Sequence, residues 1–91
     1  MERVLRYVDG ELLVELTRSL IRIDSVYRPE RGTAEAGVAR YVTELLKAWG
    51  FSVRVEEAAP GRPNVLAELC GTREGKTLLF EAHSDVVTEG D

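Results

Sequence analysis

Apolar residues recur with a helical period along the first half of the chain and with a period of two along the second. Leu13, Leu16, Leu20 and Ile21 fall at helical spacing behind Asp9, whose carboxylate suits an N-cap, so the pattern predicts a helix from about Glu11 to Ile21. The stretch from Tyr27 to Gly32 holds a proline, a glycine and two arginines and reads as a connector. Thr33 then stands where a side-chain oxygen can cap a second helix. That helix carries the clearest stripe: Val38, Tyr41, Val42, Leu45, Leu46 and Trp49 share one face, and Arg40, Glu44 and Lys47 lie off it. Gly50 offers the left-handed turn that ends helices, and Trp49 is expected in the core.

Beyond Gly50, Phe51, Val53 and Val55 alternate with Ser52, Arg54 and Glu56, the pattern of a strand with one buried and one wet face. A connector rich in proline, glycine and alanine runs from Ala58 to Pro63. A second strand is predicted over about Asn64 to Cys70, with Val65, Ala67 and Leu69 on one side and Cys70 packed as a small residue. The segment Thr77 to His83 differs, because Leu78, Phe80 and Ala82 oppose Leu79 and make both faces apolar; it is predicted as a third strand, central in its sheet. Such a strand needs a layer above and a layer below, more than the two helices supply. The order helix, helix, strand, strand, strand therefore reads as the opening of an α/β sandwich that stops mid-domain.

Size changes this picture little. A chain of 91 residues builds one small core and removes only roughly 60% of its unfolded surface from water. With 44% hydrophobic and 31% charged residues it has the composition of a folded, soluble domain rather than a disordered tail. Its net charge of -4, from 16 acidic and 12 basic side chains scattered in both signs, forms no basic patch and argues against nucleic acid as a partner. No apolar run is long enough for a secretion signal or a membrane span, so the expected location is cytoplasmic. A single cysteine excludes an internal disulfide and any C-x-x-C motif.

The candidate chemistry sits near the end of the chain. In extended backbone an i, i+2 pair points to one side, which places His83 and Asp85 together at the carboxyl end of the expected third strand, where open α/β sheets tend to bind ligands. A neutral imidazole is a good zinc ligand, and a neighbouring carboxylate can orient the ring or raise its basicity. By spacing alone, a histidine near a strand end is more often a satisfied polar residue than a metal ligand. Glu81 shares the parity of the pair and either faces the same site or is a carboxylate ion-paired with a neighbouring strand or left solvated. Glu89 and Asp91 read as a solvated acidic end. The glycines form no phosphate-binding loop, and Ser25 and Ser84 lack a second histidine to activate them.

The run TLLFEAHSDVVTEGD, preceded by LIRIDSV, by VARYVTELLKAWGF and by GFSVRVEEAAPGRPNVLAEL, resembles the superfamily of acetylornithine deacetylase, succinyl-diaminopimelate desuccinylase, aminoacylase and related zinc carboxypeptidases and dipeptidases, over nearly the whole chain. The resemblance implies that residues 1–91 are the N-terminal portion of a three-layer α/β/α zinc-peptidase catalytic domain. It implies a cofactor of two zinc ions in the complete enzyme, with cobalt or manganese as alternatives. In the superfamily the metals activate a water that hydrolyses the amide bond of an N-acyl amino acid or short peptide. Carried onto HSDVV, the family's metal ligand falls on His83 and its acidic catalytic partner on Asp85. The general-base glutamate, the bridging aspartate, further carboxylate ligands and a late histidine have no counterpart up to Asp91, so the isolated chain is expected to be inactive and to bind zinc weakly. An inserted dimerisation domain, common in the family, would make the parent a homodimer. Ala82 stands where the family often has glycine, Thr88 where it often has proline and Glu81 where it usually has a small polar residue. These departures leave open which acyl compound is the substrate, and whether the parent is a deacylase or a peptidase. The alternative is a non-catalytic α/β interaction or scaffold module derived from the same fold, in which the apolar third strand pairs with another chain.

Overall fold

A computed structural model of the chain describes residues 2–88; Glu89 and Asp91, read above as an acidic end, lie outside the described residues. The elements are α1 (Glu2–Leu5), α2 (Gly10–Arg22), a short 3-10 turn (Pro29–Arg31), α3 (Ala36–Ala48), β1 (Ser52–Ala59) and β2 (Arg62–Glu68). The single turn α1 was not anticipated.

Helix α2 starts as its sequence predicts. Asp9 is extended at φ -90° and ψ 106°, and its Oδ1 accepts from the amides of Glu11 and Leu12, each at 3.1 Å. Two amides that the helix cannot satisfy internally thereby find a partner. The start of α3 differs from expectation, because Glu35, not Thr33, precedes the first helical residue and no side chain caps it. The reason is local: the 3-10 turn brings the chain back on itself, and Thr33 pairs with Arg28 in an antiparallel bridge, its carbonyl accepting the Arg28 amide at 2.8 Å. Thr33 is thus held too far upstream to reach the first turn of α3, and its buried Oγ1 has no hydrogen-bond partner among the described residues. The other end of α3 behaves as predicted. Gly50 lies at φ 89°, its amide donates to the Lys47 carbonyl and the Phe51 amide to the Leu46 carbonyl, both at 3.0 Å, which closes the last turn.

Strands β1 and β2 form an antiparallel hairpin in which Val53 faces Ala67 and Val55 faces Val65. A register shift between Glu57 and Ala59 leads into the turn, where the Gly61 amide donates to Glu57 Oε1 at 2.8 Å. Helix α3 packs across both strands, and the half-buried Val53, Val65 and Ala67 lie on one face of the hairpin. The buried apolar residues are Val26, Val38 and Ala39, accompanied by Ser25, Glu35 and Thr43. Gly37 brings α3 close to the end of α2, since a Cβ there would lie 3.0 Å from Ile23 Cγ2.

The third strand is the largest departure from expectation. Residues 77–83 belong to no helix and join no ladder, and Leu79 and Phe80 are 84% and 85% exposed. Among the described residues no strand lies beside this segment and no helix covers it, so its apolar faces find neither of the layers they call for. After Glu68 the only β contact in the described part of the chain is a parallel bridge between Val86 and Val26. Cys70, expected inside a strand, is exposed just past the end of β2, and Trp49, expected in the core, is about half exposed at the end of α3.

The open architecture shows in its dimensions. A compact monomer of 10.1 kDa exposes about 5300 Å² by the usual scaling, whereas this chain exposes 8300 Å². Its radius of gyration is 15.5 Å, against about 12 Å for a compact chain of this length. The three helices and the two-stranded antiparallel sheet are therefore part of an α/β arrangement whose faces are incompletely covered. No helix among the described residues is long and apolar enough to cross a membrane.

Candidate functional site

The first residue of β2 organises the polar side of the molecule. Arg62 points its guanidinium at Glu35, the buried residue at the head of α3: Nε donates to both carboxylate oxygens at 3.1 Å and Nη2 to Oε1 at 2.5 Å. This forked geometry is the strongest that a guanidinium and a carboxylate make. The hydrogen bonds from Arg62 hold the Glu35 carboxyl below its ordinary pKa against the opposing effect of burial, and Glu35 in turn raises Arg62. The guanidinium also lies over the ring of Tyr27, 3.9 Å from its centroid.

Asp85 places Oδ2 3.8 Å from the same Arg62 Nη2 that donates to Glu35. Its other oxygen, Oδ1, is 3.1 Å from His83 Nδ1, and the Asp85 carbonyl oxygen is also 3.1 Å from that nitrogen. The two residues thus do share a side, as their spacing predicts, although hydrogen bonds from the His83 ring hold them together and no strand does. Both oxygens facing Nδ1 are acceptors, so the proton of a neutral ring belongs on Nδ1 and the lone pair on Nε2. The His83 side chain is 86% exposed, and no hydrogen bond to Nε2 occurs among the described residues.

An exposed imidazole held at one nitrogen by a carboxylate has the donor chemistry of a single metal ligand with its orienting partner. It is not a complete zinc site. Among the described residues no group of three or more histidine, cysteine, aspartate or glutamate side chains gathers where it could hold an ion. Glu81 is exposed and forms no ion pair in the described part of the chain, while Ser25 is buried beside Val26 and Ser84 is exposed next to His83. Glu35, Arg62 and Tyr27 were not marked by the sequence. Arg62 and Glu35 are 27 residues apart, and no local periodicity or motif signals that pairing.

The chain is 32% identical over 78 residues to the N-formyl-4-amino-5-aminomethyl-2-methylpyrimidine deformylase of Bacillus subtilis, a match covering 84% of this chain and 18% of that protein. It is 38% identical over 79 residues to succinyl-diaminopimelate desuccinylase 2 of a Ruegeria species, covering 86% of this chain and 18% of the relative. It is 34% identical over 76 residues to the acetylornithine deacetylase of Vibrio cholerae, covering 81% and 20%. No family profile and no solved structure matches the chain. It spans about a fifth of the length of these curated relatives. All three carry names of enzymes that remove an acyl group, and over the stretch it shares with them the chain belongs to the acetylornithine deacetylase and succinyl-diaminopimelate desuccinylase family.

Proposed function

We propose that these residues are the N-terminal portion of the catalytic domain of a zinc-dependent amidohydrolase that cleaves the amide bond of N-acyl amino acids or related small N-acyl compounds. The observation that carries this reading is the His83–Asp85 pair, with Nδ1 held at 3.1 Å and Nε2 left for a cation, in a chain related to deacylases along most of its length. In this reading His83 contributes one ligand, and Asp85 orients the ring and increases its basicity. When bound, zinc would supply the Lewis acidity that amide hydrolysis needs. A catalytic zinc usually takes three protein ligands, so the remaining ligands and the general base belong to protein outside these residues. The same protein would cover Leu78, Leu79 and Phe80, which are apolar and exposed here.

The relatives' names favour a deacylase over a peptidase, with a small acylated amine as substrate. The test is hydrolysis of a panel of N-formyl, N-acetyl and N-succinyl amino acids by the full-length protein carrying this segment, followed by release of free amine. Asp85→Ala is expected to lower kcat/KM by on order of 10- to 100-fold, the range for losing a ligand's orienting partner. An unchanged rate in that variant would remove Asp85 from the mechanism, and no turnover of any acylated amine by the wild type would overturn the reading as a whole.

A further inference from the structure

The contacts around Arg62 form a closed circuit. Glu35 grips the Nε–Nη2 edge of the guanidinium and Tyr27 covers its face, while Asp85 Oδ2 stands 3.8 Å from the same Nη2. Val26, next to Tyr27, pairs in a parallel bridge with Val86, next to Asp85. Residues 26–27 and residues 85–86 therefore meet twice, once through backbone and once through the arginine. A guanidinium already bound by a buried carboxylate and an aromatic face has few orientations left to lose, so an anion arriving beside it meets a preorganised cation. Lysine could supply the charge but not the planar fork that faces Glu35 and stacks on Tyr27.

The segment that benefits is otherwise loosely held. From Gly71 to Ser84 every residue is exposed and none belongs to a helix or strand, and Asp85 is the first residue after β2 to become partly buried. Without a tether, Asp85 and His83 would sample many rotamers, and the hydrogen bond between two exposed side chains would be short-lived.

We propose that Arg62, anchored by Glu35, is a positioning residue: it fixes the Asp85 carboxylate and through it holds His83 as the Nδ1–H tautomer, with Nε2 presented outward. The inference deepens the metal reading but is tested without a metal. Glu35, at the head of α3, and Arg62, at the start of β2, thereby tie the packed part of the molecule to the segment that carries the chemistry. The lowered pKa of Glu35 agrees with this, since it reflects a carboxylate kept charged by the guanidinium it holds in place.

His83 is the only histidine in the chain, so its ring gives one resolvable spin system. The 91-residue chain with 15N-labelled imidazole is examined by long-range proton–nitrogen correlation at about pH 8, where a free imidazole is neutral. Wild type is expected to show a ratio of Nδ1–H to Nε2–H about fivefold above that of an unrestrained histidine, the factor one net hydrogen bond sustains. In Arg62→Lys and in Glu35→Gln the excess should fall toward the mixture of an unrestrained histidine, while the amide dispersion of β1 and β2 is kept. An unchanged tautomer ratio in both variants overturns the proposal, as does a wild-type ring with no Nδ1–H excess. If Arg62→Lys loses the hairpin amide dispersion, Tyr27→Leu, which removes only the stacking face, decides in its place: a retained wild-type ratio there counts against the circuit and a reduced one supports it. Zinc titration of the same wild-type sample reports separately on the metal reading, so the two ideas fail independently.

Discussion

Val38 and Leu79 are both apolar residues at positions whose pattern asks for burial, yet Val38 is 5% exposed and Leu79 is 84% exposed. The first lies in α3, which packs across the β1–β2 hairpin; the second lies in an irregular stretch with neither a strand beside it nor a layer over it among the described residues. Hydrophobic periodicity thus reports which faces need cover, while the partner that provides the cover must be present for the prediction to be realised. The residues with chemical potential, His83 and Asp85, stand at the end of the uncovered stretch, tied back to the covered half through Arg62.

The largest effect that separates the two regions is a charge placed in each. Val38→Asp puts a carboxylate without a partner into the small core and is expected to abolish the cooperative urea transition followed by far-UV circular dichroism, since such burial costs several kcal/mol, about 3 or more. Leu79→Asp should leave that transition within about 0.5 kcal/mol of wild type, the usual range for exposed positions. A destabilising Leu79→Asp would show that the segment around Leu79 is packed in solution.

The next effect lies at the end of α3. Gly50→Ala forces a side chain into the left-handed region at φ 89° and is expected to cost about 1–2 kcal/mol in the same assay. Asp9→Ala removes the cap of α2 and should cost about 1 kcal/mol or less, seen mainly as lost helical signal because α2 buries no residue fully. A two-state loss at Asp9 equal to that at Gly50 would mean that α2 and α3 unfold as one unit.

The smallest expected effect is the pH dependence due to Glu35. Its folded carboxyl titrates below its ordinary value of 4.5, so the folded state binds this proton less readily than the unfolded chain does. The resulting stability is present above about pH 4.5 and is lost as pH falls toward the lowered folded value. Glu35→Gln should flatten that part of the acid-unfolding profile and leave the profile between pH values of about 6 and 8 with its wild-type slope. An unaltered acid limb would show that the Arg62 pair forms equally in the unfolded chain.

Most of the packed half was legible in the sequence. Asp9, Gly50, the helical period from Val38 to Leu46 and the alternation at Val53 and Val65 are local signals, set by capping geometry and side-chain period, and appear where expected, whereas Trp49 and Val55 are about half exposed and Ala39 and Thr43, off the predicted stripe, are buried in α3. Thr33 misled because a 3-10 turn competed for it, an outcome decided by its bridge to Arg28 rather than by capping propensity. The third strand misled because strand formation depends on neighbours that period alone does not supply. At the site, the i, i+2 spacing marked a shared side for His83 and Asp85 but not their direct contact, and the Glu35–Arg62–Asp85 circuit joins residues far apart in sequence that only folding brings into view.

The most direct test of the account is the zinc content of the full-length protein that carries this segment, measured by inductively coupled plasma mass spectrometry in wild type and in His83→Ala. About two ions per chain in wild type, as in two-metal hydrolytic sites, and about one fewer in the variant is the predicted result. Equal zinc in both proteins, or none in either, would contradict the role given to His83.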